Sequence, residues 1–197
     1  MSEKYDEQLS YLQKPDEKEV PVELQELFDK QMEWMKANWG FINNLFKVLP
    51  LNPLQYKGFL DFKASLFTPE TCYLSTADKE MMGLVVSSTN GCSYCLTTHS
   101  DYLRGLTGDP VWVDKLTYNY RSAELTAKQR ALCDYAYFVT AYPREITTDQ
   151  VDKLREVGFN DHEILEAAYV AGFFNYTNRW VSTIAPNPND GHYSHNR

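Results

Sequence analysis

The chain of 197 residues carries 19 Lys and Arg against 27 Asp and Glu, a formal net charge of −8 with no basic cluster, which argues against nucleic acid and anionic membranes as partners. With 43% hydrophobic and 14% aromatic residues it has the material for a sizeable core, which excludes a disordered chain, and no run approaches the roughly 18 apolar residues of a membrane span. Four cysteines (72, 92, 95 and 133) behind a polar start with neither a basic nor an apolar leader region fit catalytic or metal-binding use in a reducing, cytoplasmic setting better than a disulfide scaffold.

Residues 1–20 are strongly polar and read as an N-terminal arm. Pro21 then stands where a first helical residue is favoured, and Leu24, Leu27, Phe28, Met32 and Met35 follow at three- and four-residue spacings up to Gly40. Pro50 and Pro53 break the chain before a second helical pattern over 54–67. Ser75 or Thr76 caps a third helix over about 77–88, and a fourth runs from about 92 to 106. Gly108-Asp109-Pro110 marks a turn and a new helix start. Thr126 caps a long pattern that Pro143 ends, with Leu132, Tyr135, Ala136 and Val139 on one stripe. Thr147 or Thr148 opens a helix to Val157, closed by Gly158, and Asn160 or Asp161 starts the last long helix, to about Ile184. Residues 186–197 form a polar tail. No segment pairs period-two alternation with hairpin turns, so the expectation is an all-α bundle of seven or eight helices in one domain, 21–185. Leu74-Ser75-Thr76 has a faint echo in Leu125-Thr126-Ala127, without a second pair of cysteines.

The fourth helix carries the chemistry. Its sequence Cys92-Ser93-Tyr94-Cys95-Leu96-Thr97-Thr98-His99 puts Cys95 and His99 on one face, about one turn apart, where an imidazole can take a thiol proton. Asn90-Gly91 reads as a turn that starts this helix, and a helix N-terminus lowers the pKa of a nearby thiol. The segment therefore reads as a dithiol redox centre with its own base. Glu80 precedes Cys92 by twelve residues; on one straight helix that is roughly 18 Å, too far to act. A reversal at Asn90-Gly91 packs the two helices together and turns Glu80 towards His99, where a carboxylate orients the imidazole.

Leu74-Ser75-Thr76-Ala77-Asp78-Lys79-Glu80, Val85-Val86-Ser87 and Asn90-Gly91-Cys92-Ser93-Tyr94-Cys95 with His99 together resemble the core of the alkyl hydroperoxidase D family, which shares its fold with carboxymuconolactone decarboxylase. The match, Glu then eleven residues, Cys-x-x-Cys, three residues and His, runs without a gap over some 25 residues, and the overall length resembles the longer peroxidase-related branch. The resemblance implies a cofactor-free peroxidase that reduces organic hydroperoxides or hydrogen peroxide. In it, Cys95 is the peroxidatic thiol, His99 and Glu80 its proton relay, and Cys92 the resolving thiol that closes a disulfide reopened by an external dithiol reductant. It also implies a homo-oligomer, and no haem, flavin or metal. One position departs: founding members carry histidine between the two cysteines, and Tyr94, with an ordinary pKa near 10, is no general base at neutral pH.

Zinc competes for the same residues, but a structural site wants four ligands, and Cys72, Cys133 and His162 are isolated while His192 and His195 lie in the tail. A second class of function is a redox sensor whose dithiol switches state without peroxidase turnover; a third, decarboxylation, has no need of a dithiol. Cys72 and Cys133 read as inert packing residues and His162 as surface. Phe173, Phe174, Tyr176 and Trp180 read as core or subunit interface, with Asn178 and Arg179 bracing that interface.

Overall fold

The structure, a computed structural model, describes residues 9–15 and 20–197. All regular elements among them are helical: α1 (Val22–Trp39), α2 (Asn44–Val48), α3 (Pro53–Phe67), α4 (Thr76–Asn90), α5 (Ser93–Thr107), α6 (Pro110–Asn119), α7 (Ala127–Ala141), α8 (Thr148–Glu156), α9 (Asp161–Ile184) and α10 (Gly191–Ser194), with short 3-10 turns between. The eight longer helices are those expected from the sequence. The two additions, α2 and α10, have five and four residues, too short to show a periodic stripe. No helix among the described residues is long and apolar enough to cross a membrane. Most of the arm, residues 1–8 and 16–19, lies outside the described residues; within 9–15, the Tyr11 amide donates to the Ile184 carbonyl at 2.9 Å.

Local chemistry settles the helix starts. Ser75 caps α4 by accepting from the Asp78 amide, Thr126 and Gln129 form a reciprocal capping box on α7, and Asn160 and Glu163 form another on α9. The echo between 74–76 and 125–127 thus falls on the caps of α4 and α7, which pack on each other.

α4 is the central element and packs on α5, α6, α7 and α9. Met81, Met82, Leu84, Val85 and Val86 are all buried, so α4 has no solvated face in this stretch. Lys79 is buried with them at 1% exposure; its Nζ lies 2.8 Å from Glu166 Oε1 of α9 and donates to the Leu66 carbonyl of α3 at 2.7 Å. A buried ammonium is tolerated because these partners replace the water it gives up.

The core has two parts. One unites α4 to α9 around residues such as Leu84, Leu103, Leu116, Leu132 and Phe174. The other packs α1, α2 and α3, through Phe28, Met35, Phe46, Tyr56 and Leu60, against Cys92, Tyr94, Cys95 and Val181. The dithiol segment thus lies at the seam between them.

Candidate active site

The reversal between α4 and α5 is tight. Gly91 stands at φ 70°, ψ 27°, a left-handed conformation that a side chain would strain, and its amide reaches back to the carbonyls of Ser87 and Ser88. The Cys92 amide adds a bond to the Ser87 carbonyl at 3.0 Å. α5 starts at once, with Cys92 as its N-cap and Cys95 in its first turn. The two helices then run side by side, and Glu80 meets His99: Nδ1 of the imidazole lies 2.6 Å from Oε2.

A carboxylate accepts, so His99 donates from Nδ1 and keeps the lone pair of Nε2 for another partner. Glu80 is 3% exposed, while the His99 side chain retains 31%. The carboxylate is therefore fixed inside and the imidazole borders open space. The His99 ring is held edge-on by Phe174, with centroids 4.9 Å apart. Phe174 in turn occupies the room left by Gly83, where a Cβ would stand 2.2 Å from the ring.

Cys92 and Cys95 are joined by a disulfide, with Cα atoms 5.4 Å apart. Both are buried, but Cys95 borders a cavity of about 250 Å³ together with Glu80, Tyr94, Thr98 and His99. The rest of the wall is mainly aromatic: Trp34 and Trp39 of α1, Phe46 of α2, Phe59 and Phe67 of α3, and Phe173 and Trp180 of α9. One cation, Lys63 of α3, interrupts it. A cavity walled mainly by aromatic rings, beside Cys95 and an imidazole, has the character of a site for an apolar organic molecule.

Tyr94 is buried, and its Oη accepts from the Leu45 amide at 3.3 Å. Burial pushes its phenol far above the ordinary value, with the Leu45 hydrogen bond opposing, so it stays protonated and ties α5 to α2.

The four predicted site residues, Glu80, Cys92, Cys95 and His99, thus come together. The remaining cysteines stay apart from them: burial pushes the Cys133 thiol up, and Cys72 Sγ donates to the Leu66 carbonyl at 3.2 Å. His162 is exposed and stacked on Tyr73. In the aromatic run on α9, Phe173 and Phe174 belong to the core as expected, and two of the four residues also border the cavity. Phe173 and Trp180 form cavity wall and Phe174 holds His99, while Tyr176 is exposed. Asn178 and Arg179 are engaged within the chain: Asn178 Nδ2 donates to Ser87 Oγ at 3.1 Å and Arg179 to Asn90 Oδ1 at 2.6 Å, both at the α4–α5 reversal. Sequence reasoning missed Lys63 and the tryptophans of α1. A signal existed for Lys63, because Phe59, Lys63 and Phe67 recur every four residues along one helix face.

Solved structures place these features in context. The chain is similar to a peroxidase-related protein from Silicibacter sp. TM1040, at 35% identity and TM-score 0.86, covering 96% of this chain and 97% of that one. A peroxidase-related protein from Ralstonia eutropha JMP134, described as an alkylhydroperoxidase AhpD core, superposes with TM-score 0.88 at 27% identity over 96% of this chain and 97% of that one. The debrominase Bmp8 shares the fold at 16% identity and TM-score 0.75, over 94% of each chain. No family model and no curated protein matches the chain.

Proposed function

The chain belongs to the AhpD-like family, in its peroxidase-related branch, and on that premise we propose that it is a thiol-dependent peroxidase that reduces organic hydroperoxides or hydrogen peroxide. The observation that carries this reading is the Glu80–His99 contact at 2.6 Å, set beside Cys95 at the wall of an apolar cavity. Glu80 fixes the tautomer in which Nε2 accepts, so His99 serves as base for the Cys95 thiol, and the first turn of α5 adds its partial positive charge.

In the reduced enzyme the Cys95 thiolate attacks the distal oxygen of the hydroperoxide. The O–O bond breaks, sulfur is oxidised to a sulfenic acid, and the leaving alkoxide takes the proton held on His99 and departs as an alcohol. The Cys92 thiol then condenses with the sulfenic acid, forming the disulfide and releasing water. An external dithiol returns two electrons and two protons by thiol–disulfide exchange, becoming a disulfide itself. The two cysteines and that dithiol carry every electron of the cycle.

A dithiol switch without turnover is the competing reading, but a switch can dispense with the buried carboxylate that orients the imidazole here. Stopped-flow oxidation of the fully reduced protein by cumene hydroperoxide, followed by mass spectrometry, tests the proposal. Fast loss of both thiols with a Cys92–Cys95 disulfide is expected. Cys95→Ser should abolish peroxide consumption, and Cys92→Ser should allow a single turnover that leaves a dimedone-trappable sulfenic acid on Cys95. Slow oxidation, or turnover retained without Cys95, rejects it.

A further inference from the structure

Lys63 is the cavity's anomaly. It lies mid-way along α3, between Phe59 and Phe67 on the same helix face, and all three border the cavity that reaches Cys95. Its Nζ lies 5.9 Å from the centre of the Trp34 ring and 5.8 Å from that of Phe46. No carboxylate among the described residues comes within ion-pair distance of it; the nearest influence is the more distant charge of Glu80, which is already bound to His99. Ring faces attract a cation only weakly compared with a carboxylate. Burial accordingly pulls the Lys63 ammonium below its ordinary pKa, with Glu80 opposing. In the same cavity lining, the indole nitrogen of Trp180 is buried and has no acceptor among the described residues. Lys63 has no carboxylate partner and the Trp180 indole N–H no acceptor, in a wall that is mainly aromatic; the polar groups that share it include Asn43, whose buried Oδ1 also has no hydrogen-bond partner among the described residues.

Such a group costs stability where it stands, and a solvated lysine on the outer face of α3 would serve packing better. The arrangement makes sense for a ligand with an apolar body and one anionic end. We propose that the substrate of this site is an organic hydroperoxide bearing a carboxylate, with the carboxylate held by Lys63, the body packed among the aromatic rings and the peroxide group delivered to Cys95. The inference rests on the peroxidase reading for its chemistry, and on the cavity alone for its recognition. The volume of about 250 Å³ calls for a compact body, a medium-length alkyl chain or a single aryl ring.

Binding separates this inference from the catalytic one, because it needs no turnover. Trp34, Trp39 and Trp180 border the cavity, so their fluorescence reports a ligand entering the oxidised full-length protein. Octanoate and octanol are the probes: equal bodies, charged and neutral ends. Octanoate should bind at least about tenfold tighter than octanol, as a charge-assisted contact implies, and Lys63→Met should remove that preference while sparing octanol. Lys63→Gln is the second variant, in case the Met protein does not fold. Equal binding of the two probes, or a preference that survives in either folded variant, overturns the assignment. If the reduced protein fails to consume peroxide yet binds octanoate through Lys63, the peroxidase reading falls and the carboxylate site stands. Peroxide turnover without a carboxylate preference keeps the peroxidase and removes the carboxylate site.

Discussion

Gly83 shows how a residue outside the site can support one inside it. Its missing side chain lets Phe174 reach across α4, and Phe174 holds the imidazole that Glu80 orients. Gly83→Ala should push that ring aside, lowering stability by about 1–3 kcal/mol and releasing one support of His99. Thermal unfolding and a thiolate absorbance titration of the reduced protein measure the two effects; an unchanged titration would mean that Glu80 suffices to hold the ring. The sequence could not announce this contact, because residues 83 and 174 meet only after α9 has folded back across α4. Tyr94 is the opposite case. The exclusion of a general base at that position followed from side-chain chemistry, and burial only widens the gap between its pKa and neutrality.

Among the elements, α4 bears the heaviest demands, since it is buried and must also present Glu80 at a fixed height. The buried Lys79–Glu166 pair pins its first turn to α9, and Glu166 Oε2 accepts from the amides of Tyr73 and Leu74, which lead into it. Burial alone would push the Glu166 carboxyl up, but the Lys79 ammonium and these amides outweigh it and hold the carboxyl below its ordinary value of 4.5. A depressed folded pKa means stability that is fully present above 4.5 and is lost as pH falls through the lower folded value. Glu166→Gln leaves Lys79 buried and unpaired, so we expect a loss of about 3–5 kcal/mol near neutral pH that narrows in acid, where the native carboxyl protonates as well. Denaturant unfolding at both pH values checks it; a deficit independent of pH would place the cost in packing instead of charge. The helix starts were legible because caps are local: Ser75, Thr126 and Asn160 each bond an amide two or three residues away. The short α2 was not, although it supplies Phe46 to the cavity, because five residues cannot show a period.

At the scale of the molecule, the end of the chain closes the fold. Asp101 of α5, fully buried, accepts from Nδ1 of His192 at 2.6 Å, from Nδ1 of His195 at 3.0 Å and from Asn196 at 3.0 Å, while Arg104 donates to the His192 carbonyl at 2.6 Å. The His192 ring packs edge-on against Trp39, with centroids 5.4 Å apart, and Trp39 borders the cavity. Residues 186–197, polar in composition, are thus a clasp that joins α5 to the end of α1. Truncation after Asn189 would strand Asp101 and Arg104 in the interior, and should lower Tm by about 10 °C or more. Circular dichroism melting measures it, and an unchanged Tm would show that water replaces the clasp at no cost.

What the sequence by itself determined is whatever depends on neighbours along the chain: the all-helical class, the caps, the reversal at Asn90-Gly91, and the pairing of Cys95 with His99 on one face of α5. Spacing carries such information because the helix converts it into geometry at a fixed rise and turn. Only the tertiary structure decided that Phe173 and Trp180 wall a cavity, that Lys63 borders it, and that a polar tail packs against Asp101. Each of these depends on helices distant in sequence meeting at one seam, and the encounter is fixed by how two hydrophobic clusters pack, which no local pattern encodes.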